Sequence, residues 1–353
     1  MQKLHPDCRH FKGHIPCQPN KKYGVHCDEC PFYDPTIERI LIIKLGAIGD
    51  VIRSTPILHK LKKDFPKAEI FWLTQAPIVI PKIVDHVLEF SYQNMLLLQE
   101  IEFDLLINLD KDWEACALAN SIRANTKKGF ILKNNRPWPA DEQAVHIYVT
   151  GIFDDLSKAN RKSYPQELFE MCGYVFAGEK YILDNFERHS NWPIDHMRKV
   201  IGMNTGCGGR WKSRLWPEKN WIELAEKLLA KNYIVILLGG PQEHEKNQHI
   251  AKISGAKYFG HFPLDQFINL VDQCDLVVTA VTMALHIAIG RGKKIVLFNN
   301  TFNKCEFELY GLGEILEPEF DCDCFYAQEC PNDCMQYIYV DRVLQTCHRI
   351  LSD

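Results

Sequence analysis

The sequence predicts an α/β chain built from two nucleotide-binding halves, and three observations carry that expectation. Apolar runs of strand length alternate with helical patterns from residue 39 onward. One such run enters the turn Gly46-Ala47-Ile48-Gly49, and a carboxylate, Asp50, opens the helix after it. Two further glycine turns, Gly206-Cys207-Gly208-Gly209 and Gly239-Gly240-Pro241-Gln242-Glu243, follow apolar strands much later in the chain. Nearly continuous apolar strands suit parallel sheets covered by helices on both faces.

The elements are expected in this order. Strands span 41–45, 69–74 and 103–109, with helices at 51–63 and 113–123. The stretch 134–161 is polar and punctuated by prolines, which reads as a long loop, and 185–196 reads as a linker. A second alternation follows, with strands at 199–204, 234–238, 276–279 and 294–298. Its helices are expected at 217–231, 242–253 and 282–290, with Pro217 in a first turn and Gly290 ending the last of them. Val340, Val343, Leu344, Cys347, Ile350 and Leu351 lie at helical spacing and predict a C-terminal amphipathic helix.

With 353 residues, of which 46% are hydrophobic and 24% charged, the chain can bury the cores of two domains. A formal net charge of −4 argues against nucleic acid as a partner. Residues 1–20 lack the apolar centre of a signal peptide. No apolar run reaches the ~18 residues that span a bilayer. The expected address is therefore the cytoplasm, with room for peripheral contact at the inner membrane.

Fourteen cysteines in such a chain favour metal binding over a disulfide scaffold. Cys8, Cys17, Cys27 and Cys30 fall in a segment, 1–38, that has no periodic apolar face and cannot build a core of its own. A Cys-x-x-Cys pair with two more cysteines suits structural zinc or iron, and His10, His14 and His26 can substitute for one thiol. The alternative is a flap of unrelated reduced thiols. Cys322, Cys324, Cys330 and Cys334 form a second, weaker candidate, open to a metal or a redox-labile pair.

In open parallel sheets ligands sit at the carboxyl ends of the strands, so a cleft between two such domains is the expected site. The glycines of 46–49 let backbone amides approach a phosphate or sugar, although the loop matches neither the dinucleotide fingerprint nor a P-loop. Asp50 is either a helix cap or, at a cleft floor, a general base.

The segment Gly-Ala-Ile-Gly-Asp-Val-Ile-Arg-Ser-Thr-Pro (46–56) resembles the opening motif of glycosyltransferase family nine, the ADP-heptose:lipopolysaccharide heptosyltransferases. Phe103-Asp-Leu-Leu-Ile-Asn-Leu109, Arg214-Leu-Trp-Pro217 with Trp221, Gly239-Gly-Pro-Gln-Glu243 and Thr282-Met-Ala-Leu-His-Ile-Ala288 are similar to the family's later motifs, in the same order. The likeness covers residues 39 to about 350. It implies a GT-B fold of two facing Rossmann-like domains beside the short Cys-rich N-terminal module. The divisions would be 1–38, an acceptor domain 39–190, a nucleotide-sugar domain 191–335 and a terminal helix 336–353.

The same resemblance implies an inverting transferase without a catalytic cofactor. It would move heptose from ADP-heptose to a lipid-linked glycan such as the lipopolysaccharide core. Asp50 would be the general base. Arg214, with Lys212, would meet the diphosphate, Thr282 and Met283 would offer backbone at a helix start, and Glu243 would hold ribose hydroxyls. Gly46, Gly49, Thr205 and His286 complete the donor-side set, although His286 reads more readily as a satisfied core histidine. Arg214 can also be a solvated charge and Glu243 a first-turn helix acid.

Two departures bear on the donor. Val281 stands where the family has an acid, and Phe298-Asn299-Asn300-Thr301 where it has Phe-Gly-Pro-Thr. Two alternatives stay open: another nucleotide sugar or a protein acceptor, and a non-catalytic GT-B scaffold.

Overall fold

The computed structural model describes residues 3–185 and 192–352, and the chain forms two compact units. The first comprises 1–45, 57–77 and 82–145, and the second 46–56, 78–81 and 146–353.

The sheet of the first unit contains β1 (Arg39–Ile43), β2 (Glu69–Thr74), β3 (His86–Glu89), β4 (Glu102–Asn108), β5 (Arg123–Lys133) and β6 (Arg136–Pro139). Their spatial order is β3-β2-β1-β4-β5-β6, parallel except for the β5–β6 hairpin. Ile40 to Ile43 are wholly buried, as strands covered on both faces require. Helices α1 (Gln18–Tyr23), α3 (Ile57–Asp64), α4 (Tyr92–Glu100) and α5 (Trp113–Ser121) belong to the same unit, whereas α2 (Ile48–Ser54) belongs to the second.

The remaining helices lie almost wholly in the second unit: α6 (Val145–Thr150), α7 (Asp154–Ala159), α8 (Tyr164–Met171), α9 (Glu218–Ala230), α10 (His244–Ser254), α11 (Leu264–Asp272), α12 (Met283–Gly290) and α13 (Val340–Ser352). Its sheet holds β7 (Val200–Asn204), β8 (Ile234–Leu238), β9 (Leu276–Ala280), β10 (Lys294–Phe298) and β11 (Gly313–Leu316), all parallel, in the order β11-β10-β9-β7-β8.

Trp216 and Trp221 meet edge-to-face at 4.8 Å and both contact Phe298. The Trp216 indole N–H donates to the Ile338 carbonyl at 2.9 Å, which fastens the segment before α13 to this core. Val343, Cys347 and Ile350 of α13 join the same cluster, so the amphipathic stripe is spent on packing.

Two expectations are corrected. The helix expected at 51–63 is two helices, broken at Thr55-Pro56, because a proline removes an amide donor and its ring crowds the preceding turn. The expected loop at 134–161 contains β6, α6 and α7. Asn134 and Asn135 have φ of 49° and 59°, the left-handed pair that a two-residue hairpin turn needs, so the polar dipeptide closes a hairpin. Half of the expected linker at 185–196, residues 186–191, lies outside the described residues. Among the described residues no helix is long and apolar enough to cross a membrane.

Candidate functional site

The loop into α2 begins at a buried ion pair. Lys44 pairs with Asp110, whose other carboxylate oxygen accepts from the Leu45 amide. Both side chains are buried, and this tie fixes where β1 releases the chain. Beyond it, α2 packs on α12. The approach is close at Gly49, where an added Cβ would stand 2.6 Å from His286 Cδ2. A side chain there must displace the ring. Gly49→Ala is expected to cost about 1–3 kcal/mol by overpacking, read as a lower urea midpoint. An unchanged midpoint would show that helix and ring part easily.

His286 is buried and its Nδ1 has no hydrogen-bond partner. Burial, with the charge of Arg53 adding, pushes it down to about 3. It is a neutral imidazole at working pH. The reading of a fully satisfied core histidine fails on Nδ1.

Asp50 lies in the first turn of α2 with its side chain 36% exposed, and its Oδ1 is 2.8 Å from Nε of Arg53. The contact is an ion pair without hydrogen-bond alignment. Arg53 donates from its terminal nitrogen to Glu306 at 2.7 Å and lies 3.8 Å from the centroid of the Tyr164 ring. Sequence reasoning missed Arg53, Glu306 and Tyr164. An arginine one turn after an acid is a visible signal, but its second acid lies 253 positions further along the chain.

Arg214 is the sharpest feature of the donor-side set. It sits in a single 3-10 turn, Lys212–Arg214, and is 8% exposed. Its guanidinium donates to the Val281 carbonyl and lies 5.1 Å from the Trp211 ring and 5.3 Å from the Phe302 ring. Its Nε has no hydrogen-bond partner, and among the described residues no carboxylate pairs with it. Burial pulls it down to about 10. A buried cation without an anion is costly, so the position reads as one awaiting a ligand anion rather than as a solvated charge. Lys212 is exposed beside it. Val281, apolar where the family has an acid, acts here through its backbone oxygen.

Thr282 caps α12, its Oγ1 accepting from the Ala284 amide at 3.2 Å, and Met283 is half-buried in the first turn. Asn204 Nδ2 donates to Thr282 Oγ1 at 3.3 Å and to the Gly206 carbonyl at 3.1 Å, which ties the loop after β7 to the start of α12. Glu243 is buried, and its Oε2 accepts from the Gly240 amide at 2.9 Å. A Cβ on Gly206 would fall 2.1 Å from Glu243 Oε1, so the glycine lets backbone pass this carboxylate. Thr205 is buried and donates to Asn247 at 2.5 Å. Lys246 donates to the Thr205 carbonyl at 2.8 Å and is lowered by burial. Asn204 and Lys246 were not singled out by sequence, since neither stands in a motif.

Gly46, Gly49, Asp50, Thr205, Lys212, Arg214, Glu243, Thr282, Met283 and His286 thus all belong to the second unit. The set offers a partly exposed carboxylate, an unpaired buried cation and a capped helix N-terminus. Such parts can accept a proton, neutralise a leaving phosphate and hold phosphate oxygens.

The metal expectation moves along the chain. No three of Cys8, Cys17, Cys27 and Cys30 bring their sulfurs within 4.8 Å of one another. The N-terminal segment is held by other means: Arg9 pairs with Asp34 and Asp85, Cys8 bridges to Pro35, and Tyr23 stacks on Phe32. Those contacts fasten it to the first unit without closing a cage of thiols. The sulfurs of Cys322, Cys324, Cys330 and Cys334 do converge, all within 4.8 Å, with the 322–330 pair at 3.4 Å and the 324–334 pair at 3.5 Å. Neither pair is a disulfide. Metal–sulfur bonds of about 2.3 Å set tetrahedral sulfurs roughly 3.8 Å apart, so this quartet fits a closed four-thiolate site.

That loop also grips the arginine turn. Ser213 donates from its amide to the Gln328 carbonyl at 2.9 Å and from its hydroxyl to the Ala327 carbonyl at 2.6 Å. Asn300 donates to the Ser213 carbonyl at 2.7 Å and to Cys334 Sγ at 3.3 Å. The residue between Lys212 and Arg214 is therefore anchored to the cysteine loop.

Two Rossmann-like sheets, with Gly46 to Asp50 following β1 of the first and Thr205, Glu243 and Thr282 following β7, β8 and β9 of the second, define a glycosyltransferase of the GT-B class. The chain belongs to glycosyltransferase family 9 (heptosyltransferase), whose model matches residues 96–305. Lipopolysaccharide heptosyltransferase 2 of Salmonella typhimurium is 25% identical over 73% of this chain and 81% of its own length. A family 9 glycosyltransferase from Veillonella parvula superposes with a TM-score of 0.65 at 18% identity, covering 90% of this chain and 97% of its own. The iron-containing dodecameric glycosyltransferase TibC from enterotoxigenic E. coli gives a TM-score of 0.56 at 10% identity, over 89% and 76% of the two chains. A further TibC structure holds ADP-D-beta-D-heptose.

Proposed function

We propose that this protein is an inverting heptosyltransferase that moves heptose from ADP-heptose to a hydroxyl of a lipopolysaccharide-core glycan. The observation that carries the reading is the buried, unpaired Arg214 in the same compact unit as Asp50 and the capped start of α12. The Salmonella relative's activity and the donor bound to TibC support the choice of sugar and nucleotide. In this reading Asp50 takes the proton of the acceptor hydroxyl. The acceptor oxygen then bonds to the anomeric carbon from the face opposite the nucleotide, and the bond to ADP breaks with its electron pair on the phosphate. Arg214 and Lys212 neutralise that phosphate, amides at Thr282 and Met283 hold its oxygens, and Glu243 accepts from ribose hydroxyls. The acceptor is assigned to the 39–190 region, and the enzyme works at the cytoplasmic face of the inner membrane.

Val281 favours a second reading on one point only. An apolar side chain cannot accept from a sugar hydroxyl, so a different nucleotide sugar is the competing donor. A thermal-shift screen separates the two, because a ligand that binds only the folded state raises the midpoint. ADP-heptose is expected to give the largest shift among nucleotide sugars. A larger shift with a uridine or guanosine sugar would replace the donor.

Zinc or iron is assigned to Cys322, Cys324, Cys330 and Cys334 in a structural role; bound there, it supplies four bonds that fix the loop. Elemental analysis is expected to find about one such ion per chain. Cys322→Ser with Cys334→Ser should remove it and, by loosening the Ser213 anchor, weaken ADP binding, whereas Cys27→Ser with Cys30→Ser should leave it in place. Retention of metal by the first variant would return the assignment to the N-terminal quartet. Transfer in brief assays should persist in excess EDTA.

A further inference from the structure

Arg53 presents a problem for a base at Asp50. A guanidinium 2.8 Å from a carboxylate stabilises its charged form and makes it a poorer proton acceptor. Arg53 is buried, with its side chain 13% exposed, so solvent screens this pairing little. The structure answers with a second acid. Glu306, from the 3-10 turn Lys304–Glu306, receives the Arg53 guanidinium at 2.7 Å, and its other oxygen accepts from the Tyr326 hydroxyl at 3.4 Å. The trio Asp50, Arg53 and Glu306 carries one net negative charge. Protonating Asp50 then leaves a neutral trio rather than a buried cation.

We propose that Arg53 and Glu306 are positioning residues for Asp50: Arg53 holds the carboxylate at the start of α2, and Glu306 balances the arginine so that Asp50 remains a base. The inference rests on the reading of Asp50 as the general base.

The other groups around the trio are few. Tyr164 and Glu167 face it from α8, His286 from α12, and Tyr181 and Tyr326 from the connecting segments. His286 is neutral above about 3, and burial raises the phenols of Tyr181 and Tyr326. Glu167 does titrate in the working range. Burial pushes it up to about 7, with the charge of Glu306 adding.

The sign is therefore definite. With Glu306→Gln, the positive field of Arg53 on Asp50 is no longer offset, and protonation of Asp50 creates a net cation. The acid limb of the kcat–pH profile should move down by about one unit, and kcat at neutral pH should fall roughly five- to tenfold. ADP affinity by calorimetry should stay within about twofold, since the diphosphate cation is Arg214. The double variant Arg53→Met with Glu306→Gln restores the net charge of the trio and should bring the limb back toward wild type. All profiles are measured by ADP release from ADP-heptose with a core oligosaccharide acceptor, in a Glu167→Gln background that removes the competing titration.

An unmoved limb in Glu306→Gln, with Asp50→Asn inactive, would overturn the charge-balancing role and leave the base assignment standing. A limb that moves down in the single variant and fails to return in the double would also overturn it. High activity in Asp50→Asn would remove both readings together.

Discussion

Asp50→Asn is expected to keep the fold and ADP affinity while slowing glycosyl transfer by about 10²-fold or more. An amide has nearly the shape of a carboxylate but cannot take the acceptor's proton. Arg53 keeps its second partner, Glu306, at 2.7 Å in this variant, so the buried guanidinium is not stranded. The surrounding packing, Gly49 against His286, involves neither oxygen of the changed side chain. The decisive measurement is single-turnover transfer from ADP-heptose, with ADP binding by calorimetry as the control for folding. Transfer within a few-fold of wild type would take Asp50 out of the base role.

Arg214→Met should have the second large effect, in two opposite directions. ADP affinity should fall at least about 30-fold, because in the proposed mechanism the leaving diphosphate loses the buried cation assigned to it. The ligand-free protein should become more stable. Burial pulls Arg214 down from its ordinary value to about 10. A base whose folded-state pKa is lowered resists carrying its charge in the folded state. Its burial therefore costs stability at every pH below about 10, and the cost fades only as pH rises through that value. A neutral side chain of similar length removes the cost at pH 7. The expected signature is a higher melting midpoint without ADP and a smaller rise when ADP is added. Unchanged ADP affinity would show that Arg214 does not touch the diphosphate. A lower ligand-free midpoint would show that its hydrogen bond to the Val281 carbonyl outweighs the unpaired charge.

Much of the fold was legible because its strands are short, apolar and bounded by glycine turns. The strands at 69–74, 234–238 and 294–298 fall where the sequence places them. What sequence could not show were elements without a strong period. Strand β5 opens on a polar stretch with Lys127 and Lys128 side by side, β3 is four residues with two exposed, and α4 has little apolar asymmetry, so tertiary pairing decides all three. The turn at Asn134-Asn135 looked like loop composition because the same residue type serves both a loop and a two-residue hairpin. Trp216 and Trp221, which follow Arg214 in its motif, pack into the core of the second unit.

The sequence by itself determined the α/β class and the family motifs, in which Asp50, Arg214, Glu243 and Thr282 stand. Those are local features, written in apolar runs, glycine turns and residue spacing. Only the tertiary structure decided which cysteines converge, because thiols are brought together by the path of a loop and not by Cys-x-x-Cys spacing. It alone showed that Arg214 is buried without an acid, since burial depends on Trp211, Phe302 and Val281 arriving from separate segments. It also joined Glu306 to Arg53 across 253 positions, a long-range electrostatic pairing that no local pattern encodes.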